Sequence, residues 1–382
     1  GLDIATGIAV AFPRNPLHLA YQAWDLPKYS KGHFMLGLGC QVKAHIVNRF
    51  GCEFERPALR LNELIQAIKV FFDHFQDDKP VHFEGEFYRH TLMIPAFDPG
   101  PNPFGPPPIY TAGVGPLMCQ VAGEVADGFF GHPFNTRESL QTIVLPAIER
   151  GLEKSGRKRS DIDLIFATLT VTADTEEEFE RVKLAARKQL AFYGSTPAYR
   201  PTLDQHGWGD LHLELNRMSK QNRWDEMTDL IDDEVLEAIA VVGPRSEIAG
   251  KLRARLDGIA DGVSLTHNRA PDPSQWADVV ADLRAGRDGA PAPFRQDRRP
   301  PAVHSRHARR PAGGRDRPPR GAHSGRRDPP PAATPWRAAG RVLRGRRSGS
   351  SANGPVGAWA FARGSPRGAA QRVRRRGGRA AR

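Results

Sequence analysis

Residues 1–286 predict an α/β fold built on a parallel sheet. Apolar, β-branched segments alternate with segments of helical periodicity along this whole region. Such alternation specifies a parallel sheet that is either closed as a barrel or open and doubly wound. Glycines follow several strands at their carboxyl ends, where both architectures place their active sites. No GxGxxG motif follows the first strand, and this favours a barrel over an open dinucleotide-binding sheet.

Six segments have the composition of buried strands, because they are short, apolar and rich in β-branched or aromatic residues. The first of them, DIATGIAVAF, contains Gly7. A glycine inside a strand often marks a bulge or a close contact with the backbone, although the local sequence favours an ordinary strand glycine. The predicted strands are residues 3–12, 33–41, 107–115, 128–134, 161–173 and 262–267.

Helices are predicted between these strands. The first has the clearest start, because Asn15 suits the N-cap and Pro16 suits the first helical position. The segment 56–75 has strong apolar periodicity. The predicted helices are residues 15–26, 56–75, 116–127, 136–156, 175–192, 246–258 and 272–285.

The segment 191–217 is predicted to be an irregular insertion. It is rich in Tyr, Gly and Pro, contains Trp208, and is too long for a routine connector. Long loops of barrels are often lids or walls of the substrate site. A surface flap or a subunit contact is the alternative.

The positive charge of the chain is confined to its C-terminal region. The formal net charge of the 382 residues is +12, yet residues 287–382 hold 25 Arg, no Lys, four Asp and no Glu. This region therefore has a net charge of +21, and residues 1–286 have a net charge of −9. We expect a barrel domain over residues 1–286 and a disordered, low-complexity tail over residues 287–382. Nucleic-acid binding, which basic charge favours, is expected of the tail alone if at all.

The composition of the tail gives no basis for a packed core. Arg, Gly, Pro and Ala make up 70 of its 96 residues, so no apolar face could offset the entropy of ordering it. Basic arms usually mix Lys with Arg or carry repeats with aromatic residues, and the tail does neither. Because these four residues have GC-rich codons, the composition favours an out-of-frame or mis-annotated end. A tail that binds RNA or another anionic partner, or some other origin, stays open.

Cysteine usage and hydropathy indicate the redox compartment of the protein and whether it spans a membrane. Cys40, Cys52 and Cys119 form no CxxC pair and are odd in number. Neither a disulfide framework nor a zinc site is expected, so the sequence predicts a reducing cytoplasm. No apolar run approaches the ~20 residues of a membrane span, so no membrane partner is expected.

The turn Gly113-Val114-Gly115-Pro116 is the most informative candidate site. A strand ends there, two glycines permit close approach to the backbone, and Pro116 begins a helix whose first N–H groups are free. This geometry suits a phosphate or another anion. A tight turn that merely needs glycine is the alternative.

Other candidates lie near predicted strand ends. Cys40 follows a strand, but no base is identifiable beside it, so a small residue lining the mouth of the barrel is favoured over a nucleophile. His45, His132 and His267 could each act as a general acid near neutral pH. A structural or solvent-facing role is the alternative for each histidine.

The order and spacing of five motifs resemble the luciferase-like monooxygenase family, in the branch that uses the deazaflavin coenzyme F420. The resemblance covers about residues 2–285. The motifs are TGIAV followed by PRNPLHLAYQAWDL, then GHFMLGLG, GPPPIYTAGVGP, AGEVADGFFGHPF and FYGSTPAYRPTLDQHGWGD. Together they are specific, and singly none of them is.

The resemblance implies a TIM (β/α)8-type barrel with the cofactor across the carboxyl ends of the strands. The Gly7–Ile8 peptide matches the family's non-proline cis bond, which forms a bulge against the ring of the cofactor. Three consecutive residues match positions that flank the ring: Gly39, Cys40 and Gln41. Three more match the turn whose backbone N–H groups hold the cofactor phosphate: Gly113, Val114 and Gly115.

The resemblance also implies an incomplete barrel. The family's barrel has two βα units before the strand that begins here at residue 3, and at about 30 residues per unit roughly 50–60 residues are missing. Family members commonly carry a catalytic or substrate-facing polar residue in that part. We therefore expect a gene fragment that lacks its front and continues out of frame at its end.

The resulting hypothesis is an oxidoreductase that transfers a hydride between F420 and a small organic substrate. His132 and His45 are the candidate catalytic residues, as proton donors or substrate contacts, and no metal is expected. An FMN-dependent monooxygenase that uses O2 is the alternative within the family. A nucleic-acid-binding protein or an inactive fragment is the alternative outside it. Relatives in the family are often dimers, so a homodimer is possible.

Overall fold

A computed structural model describes residues 3–266, 273–285 and 360–361. The predicted fold class is confirmed, because the described residues form an α/β fold with a curled parallel sheet of barrel type. The strands are β1 (Ile4–Ala5), β2 (Ala9–Val10), β3 (Phe34–Gly39), β4 (Phe83–Glu84), β5 (Arg89–His90), β6 (Ile109–Gly113), β7 (Gly128–Gly131), β8 (Asp163–Val171), β9 (Val241–Val242), β10 (Gly262–Thr266) and β11 (Ala360–Phe361).

Helices connect the strands as the alternation predicts. They are α1 (Pro16–Ser30), α2 (Pro57–Asp77), α3 (Pro116–Val125), α4 (Arg137–Ser139), α5 (Leu145–Ser155), α6 (Glu176–Gly194), α7 (Arg200–Gln205), α8 (Gly209–Lys220), α9 (Asp233–Ile239), α10 (Arg245–Leu256) and α11 (Ala277–Ala285). The start of α1 is as expected, since the Asn15 side chain accepts a hydrogen bond from the amide of Leu17. No helix in the described part of the chain combines the length and apolar character that a membrane crossing needs.

The main sheet is parallel and incomplete as a barrel. Its order is β1-β3-β6-β7-β8-β10, with β2 also paired to β3 and β9 to β8, and β11 pairs antiparallel with β10. Among the described residues, no strand pairing joins β1 to β10. Met35, Tyr110, Phe130 and Ile165, from four neighbouring strands, pack together in one apolar cluster, and the rings of Tyr110 and Phe130 are stacked 4.8 Å apart.

The first predicted strand is divided by a bulge, which the sequence pattern did not resolve. The peptide bond between Gly7 and Ile8 is cis, as the resemblance implies. Across the bulge, the Thr6 hydroxyl donates to the carbonyl of Gly37 at 2.7 Å and accepts from the Gly37 amide at 2.9 Å. This side chain therefore replaces ladder hydrogen bonds between β1/β2 and β3.

The largest apolar cluster lies between β3 and helices α1 and α2. Trp24, Phe72 and Phe75 pack as neighbouring rings at its centre. The indole of Trp24 donates to the carbonyl of Gly100 at 2.9 Å, so its polar atom is satisfied inside the core. This cluster fixes the helices that carry the chain from one strand end to the next.

Helix α3 is held against α5 at unusually short range. A β-carbon at Gly123 would lie 2.1 Å from the carbonyl oxygen of Ile148, and one at Gly151 would lie 2.0 Å from that of Gln120. Glycine is therefore required on both helices. The crossing fixes the direction of α3, whose N-terminus lies at the strand ends.

The segment 191–217 is helical, and the prediction of an irregular insertion was wrong. It contains the end of α6, a 3-10 turn (Pro197–Tyr199), α7 and most of α8. Its apolar residues pack on Leu169 and Val171 of β8. The Gly and Pro residues of this segment have low helix propensity, so the sequence did not indicate helices here. Tertiary packing stabilises the short helices against that local preference.

Other elements also differ from the sequence-based prediction. Residues 136–156 form two helices separated by a π-helical turn (Leu140–Val144), and the hairpin of β4 and β5 and the short strand β9 were not predicted. His267 and, except for Ala360–Phe361, the predicted tail over residues 287–382 lie outside the described residues.

Candidate functional site

The carboxyl ends of four strands form one row along the rim of the sheet. Val10 pairs with Gly39, and Gly39 pairs with Ala112. Ala112 in turn pairs with Phe130. Neighbouring strands lie about 4.7–4.9 Å apart, so the residues that follow this row meet at the mouth of the sheet.

The two glycines of the turn after β6 differ in the space beside them. A β-carbon at Gly113 would lie 2.6 Å from the β-carbon of Met118, so this glycine permits the tight return into α3. Gly115 has open space on that side, with no heavy atom within 4 Å of the corresponding position. The alternative of a tight turn that merely needs glycine therefore accounts for Gly113. It does not account for Gly115, which lies beside open space.

Backbone donors at the start of α3 are available to a ligand. The amides of Val114, Gly115 and Leu117 have no hydrogen-bond partner among the residues that the structure describes. Gly115 is the N-cap and supplies no side-chain cap. Free N–H groups and the positive end of the helix dipole coincide here, which favours an anion.

A small pocket opens beside this turn. In the described part of the chain, no Asp, Glu, Lys or Arg side chain lines it. It joins the α3 turn, the end of β7 and the insertion, through Gly113, Val114, Pro116, His132, Ala198 and Pro201.

The bulge after β1 places a side chain against β3. A β-carbon at Gly39 would lie 2.9 Å from the side chain of Ile8. Gly39 thus leaves the room that Ile8 occupies at the mouth of the sheet. Gly7, Ile8 and Gly39, expected from the resemblance to lie against a cofactor ring, are adjacent in space.

Cys40 follows Gly39 at the rim. Burial raises the pKa of the Cys40 thiol to about 11, so the reactive thiolate is scarce at neutral pH. This supports the sequence-based preference for a lining residue over a nucleophile. The next residue, Gln41, is exposed and has a φ of 58°.

His132 follows β7 and is enclosed by aromatic rings. Its Nδ1 accepts a hydrogen bond from the amide of Phe134 at 3.1 Å. Its Nε2 lies 3.1 Å from the hydroxyl oxygen of Tyr199. Burial lowers the pKa of the His132 imidazole to about 3, so the ring is neutral at physiological pH.

The insertion supplies two tyrosines that sequence reasoning did not single out. The rings of Tyr193 and Tyr199 each lie 4.6 Å from the His132 ring, centroid to centroid. Burial raises the pKa of Tyr199, and the nearby Tyr193 and Cys40 raise it further. The only available signal was the Tyr-rich composition of residues 191–217.

The structure does not place His45 with these groups. His45 is exposed at the start of a π-helical turn (His45–Arg49). Its imidazole makes no hydrogen bond or ion pair with any residue the structure describes. Of the candidate histidines in the described chain, His132 is therefore the one that lies at the pocket.

Similarity to known proteins agrees with this geometry. Residues 1–262 match the family described as luciferase-like monooxygenase. An uncharacterized protein of Mycobacterium tuberculosis is 48% identical over 262 residues, which is 69% of this chain and 77% of that protein. The F420-dependent glucose-6-phosphate dehydrogenase of Intrasporangium calvum is 27% identical over 284 residues, covering 72% and 77% of the two chains.

A solved structure shows the same fold. The coenzyme F420-dependent tetrahydromethanopterin reductase from Methanopyrus kandleri superposes with a TM-score of 0.59 at 21% identity. The superposition covers 73% of this chain and 81% of that one.

Proposed function

Because the chain belongs to the luciferase-like monooxygenase family, whose members are oxidoreductases, we propose that it transfers a hydride between coenzyme F420 and a small organic substrate. The observation that carries this proposal is the set of free amides at the start of α3, beside the pocket. F420 bears a phosphate, and a helix N-terminus with unpaired N–H groups suits that phosphate.

The residues of this chain fit the cofactor at two places. The amides of Val114 and Gly115 would hold the phosphate, and open space beside Gly115 leaves room for it. Ile8 and Gly39 would line the ring, since Ile8 fills the space that a side chain at Gly39 would need. Both places lie on the same row of strand ends.

When bound, the deazaflavin supplies the hydride chemistry. The chain's own residues would bind its phosphate, orient its ring and keep water away from the reacting atoms. A largely uncharged lining suits this last task, because it gives water few strong partners. His132 is neutral, and its ring nitrogens are both engaged, so its role is to position a neighbour.

Fluorescence titration of the full chain with F420, with FMN and with a deazaflavin lacking the phosphate tests the proposal. We expect quenching to show that F420 binds at least about tenfold more tightly than the phosphate-free deazaflavin. The phosphate-free compound cannot form the charge-assisted hydrogen bonds with the backbone N–H groups. Preferential quenching of FMN would support the alternative, an FMN-dependent monooxygenase that uses O2. Quenching of none of the three would overturn both.

Gly115→Asp makes the phosphate claim specific. The N-cap has an extended conformation, with φ −77° and ψ 155°, in which an aspartate caps the helix well. The variant should therefore fold at least as stably as the wild type. Its carboxylate would compete with the phosphate for the same amides, so F420 affinity should fall while affinity for the phosphate-free deazaflavin stays.

A further inference from the structure

The hydrogen bonds of His132 determine which of its nitrogens carries the proton. The Phe134 amide can only donate, so Nδ1 accepts and is unprotonated. A neutral imidazole then carries its hydrogen on Nε2. That Nε2–H donates to the hydroxyl oxygen of Tyr199 at 3.1 Å. The hydroxyl hydrogen of Tyr199 is consequently free to donate to another group.

Tyr199 lies beside the end of β7. Its hydroxyl contacts His132, which follows that strand. Ala198 and Pro201, on either side of Tyr199 in the chain, line the pocket beside the α3 turn together with His132. The hydroxyl is therefore close to the pocket at the carboxyl ends of the strands.

The segment that carries Tyr199 is anchored on both sides. His206 Nε2 and the Thr136 hydroxyl lie 2.8 Å apart, which ties α7 to the start of α4. The Asn216 amide donates to the carbonyl of Ser195 at 2.8 Å, which ties α8 to the end of α6. These bonds fix the turn between them, so the Tyr199 hydroxyl has a defined position.

We propose that Tyr199, held by the neutral imidazole of His132, is the hydrogen-bond and proton donor to the oxygen of an uncharged carbonyl substrate. The pocket lining contains no carboxylate or cationic side chain among the described residues, so a charged substrate would lose hydration without gaining a partner. A ketone or aldehyde needs one donor for its oxygen and apolar walls for the rest. Phe129, Phe134 and Leu140 supply such walls, and His132, the hydrogen-bond partner of Tyr199, lines the same pocket.

The reaction balances with one reduced deazaflavin as the hydride donor. The identity of this donor rests on the proposed function. The carbonyl carbon takes the hydride, and the electron pair of the C=O π bond moves to oxygen. Tyr199 gives its hydroxyl proton to that oxygen, which yields an alcohol. The phenolate left behind accepts a hydrogen bond from His132 Nε2–H until water returns the proton. Tyr199 is thus the catalytic residue, and His132 is a positioning residue.

The first test needs neither cofactor nor turnover. In the full chain labelled with 15N-histidine, we expect the NMR signals of His132 to show a neutral ring protonated on Nε2 at pH 6. In Tyr199→Phe the Nε2 proton should exchange faster with water, because its acceptor is gone. A charged ring, or one protonated on Nδ1, would overturn the proposed arrangement.

The second test measures recognition of the carbonyl. Binding of 4-fluoroacetophenone is followed by 19F NMR, with 4-fluorobenzoate as the charged analogue. We expect the ketone to bind more tightly than the carboxylate, and Tyr199→Phe to weaken the ketone about tenfold, as for loss of one hydrogen bond in a dry site. Tyr29→Phe is the matched control, since Tyr29 is an exposed residue of α1 outside the site, and it should stay within about twofold.

Equal ketone affinity in the wild type and Tyr199→Phe would overturn the proposal, as would preference for the carboxylate. Both phenylalanine variants keep their rings, so the packing around His132 is retained. Because neither test contains F420, a failure of the proposed cofactor would show only in the fluorescence titration. The two proposals can therefore fail separately.

Discussion

Gly113 and Met118 approach so closely that a β-carbon on the glycine would lie 2.6 Å from the β-carbon of the methionine. This contact closes the turn that presents the free amides of Val114 and Gly115. The shape of the candidate phosphate site thus depends on a glycine that the phosphate itself need not touch.

The first prediction concerns this turn. Gly113→Ala should lower the free energy of unfolding by about 1–3 kcal/mol, because overpacking forces the turn or α3 to move. Gly115→Ala is the control, since nothing lies within 4 Å of its β-carbon position. Urea unfolding monitored by circular dichroism measures both. Equal stability of the two variants would show that the close contact has no energetic role.

A second prediction follows from the neutral, desolvated imidazole of His132. The pKa of His132 is about 3 in the folded protein, below the ~6.5 of an exposed histidine. Between these values the unfolded state binds the extra proton, so the stability that His132 contributes is full above about pH 6.5 and is lost as the pH falls toward 3.

His132→Asn should therefore make the acid side of the stability profile shallower, by up to about 1.4 kcal/mol per pH unit for one proton. Urea unfolding at several pH values between 4 and 7 would measure the slope. His45→Asn replaces an exposed ring and serves as the control, with the wild-type slope expected. A His132→Asn profile parallel to the wild type would contradict the burial argument.

Thiol reactivity provides a third prediction. With a pKa of about 11 for Cys40, only about one molecule in a thousand carries the thiolate at pH 8. Alkylation of Cys40 by iodoacetamide should be slow and should accelerate about tenfold per pH unit up to that pKa. Mass spectrometry of tryptic peptides gives the rate, and Cys40→Ser confirms the assignment. Rapid alkylation at pH 7 would mean that the thiol is not desolvated.

The fourth prediction separates the barrel domain from the basic region. The residues proposed to hold F420 lie between Gly7 and Gly115, so a chain of residues 1–286 should bind F420 as tightly as the full chain. Any nucleic-acid binding should belong to the full chain alone and should fall steeply with salt. Fluorescence titration and filter binding are the two measurements. Loss of F420 binding with an intact circular dichroism spectrum would contradict the prediction.

The sequence by itself determined the alternation of strands and helices, because the period of the apolar residues is a local property. It also determined where glycines follow strands, and hence the turn Gly113–Pro116. The resemblance to the family added the cis peptide at Gly7–Ile8, which the structure contains. The observed boundaries of helices and strands differ from the predicted ones by a few residues where caps and packing determine the ends, as at the end of α1.

The tertiary structure alone decided what surrounds each candidate. His132 and Tyr199 are 67 residues apart in the chain, and no local pattern links them, since their meeting depends on strand register and on the packing of α7 and α8. Sequence alone likewise could not distinguish His45 from His132, since both are histidines, but the side chain of His45 is exposed to solvent. Residue type sets the chemistry a side chain can perform, while desolvation and partners, which arise only when distant segments pack, decide which chemistry it does perform.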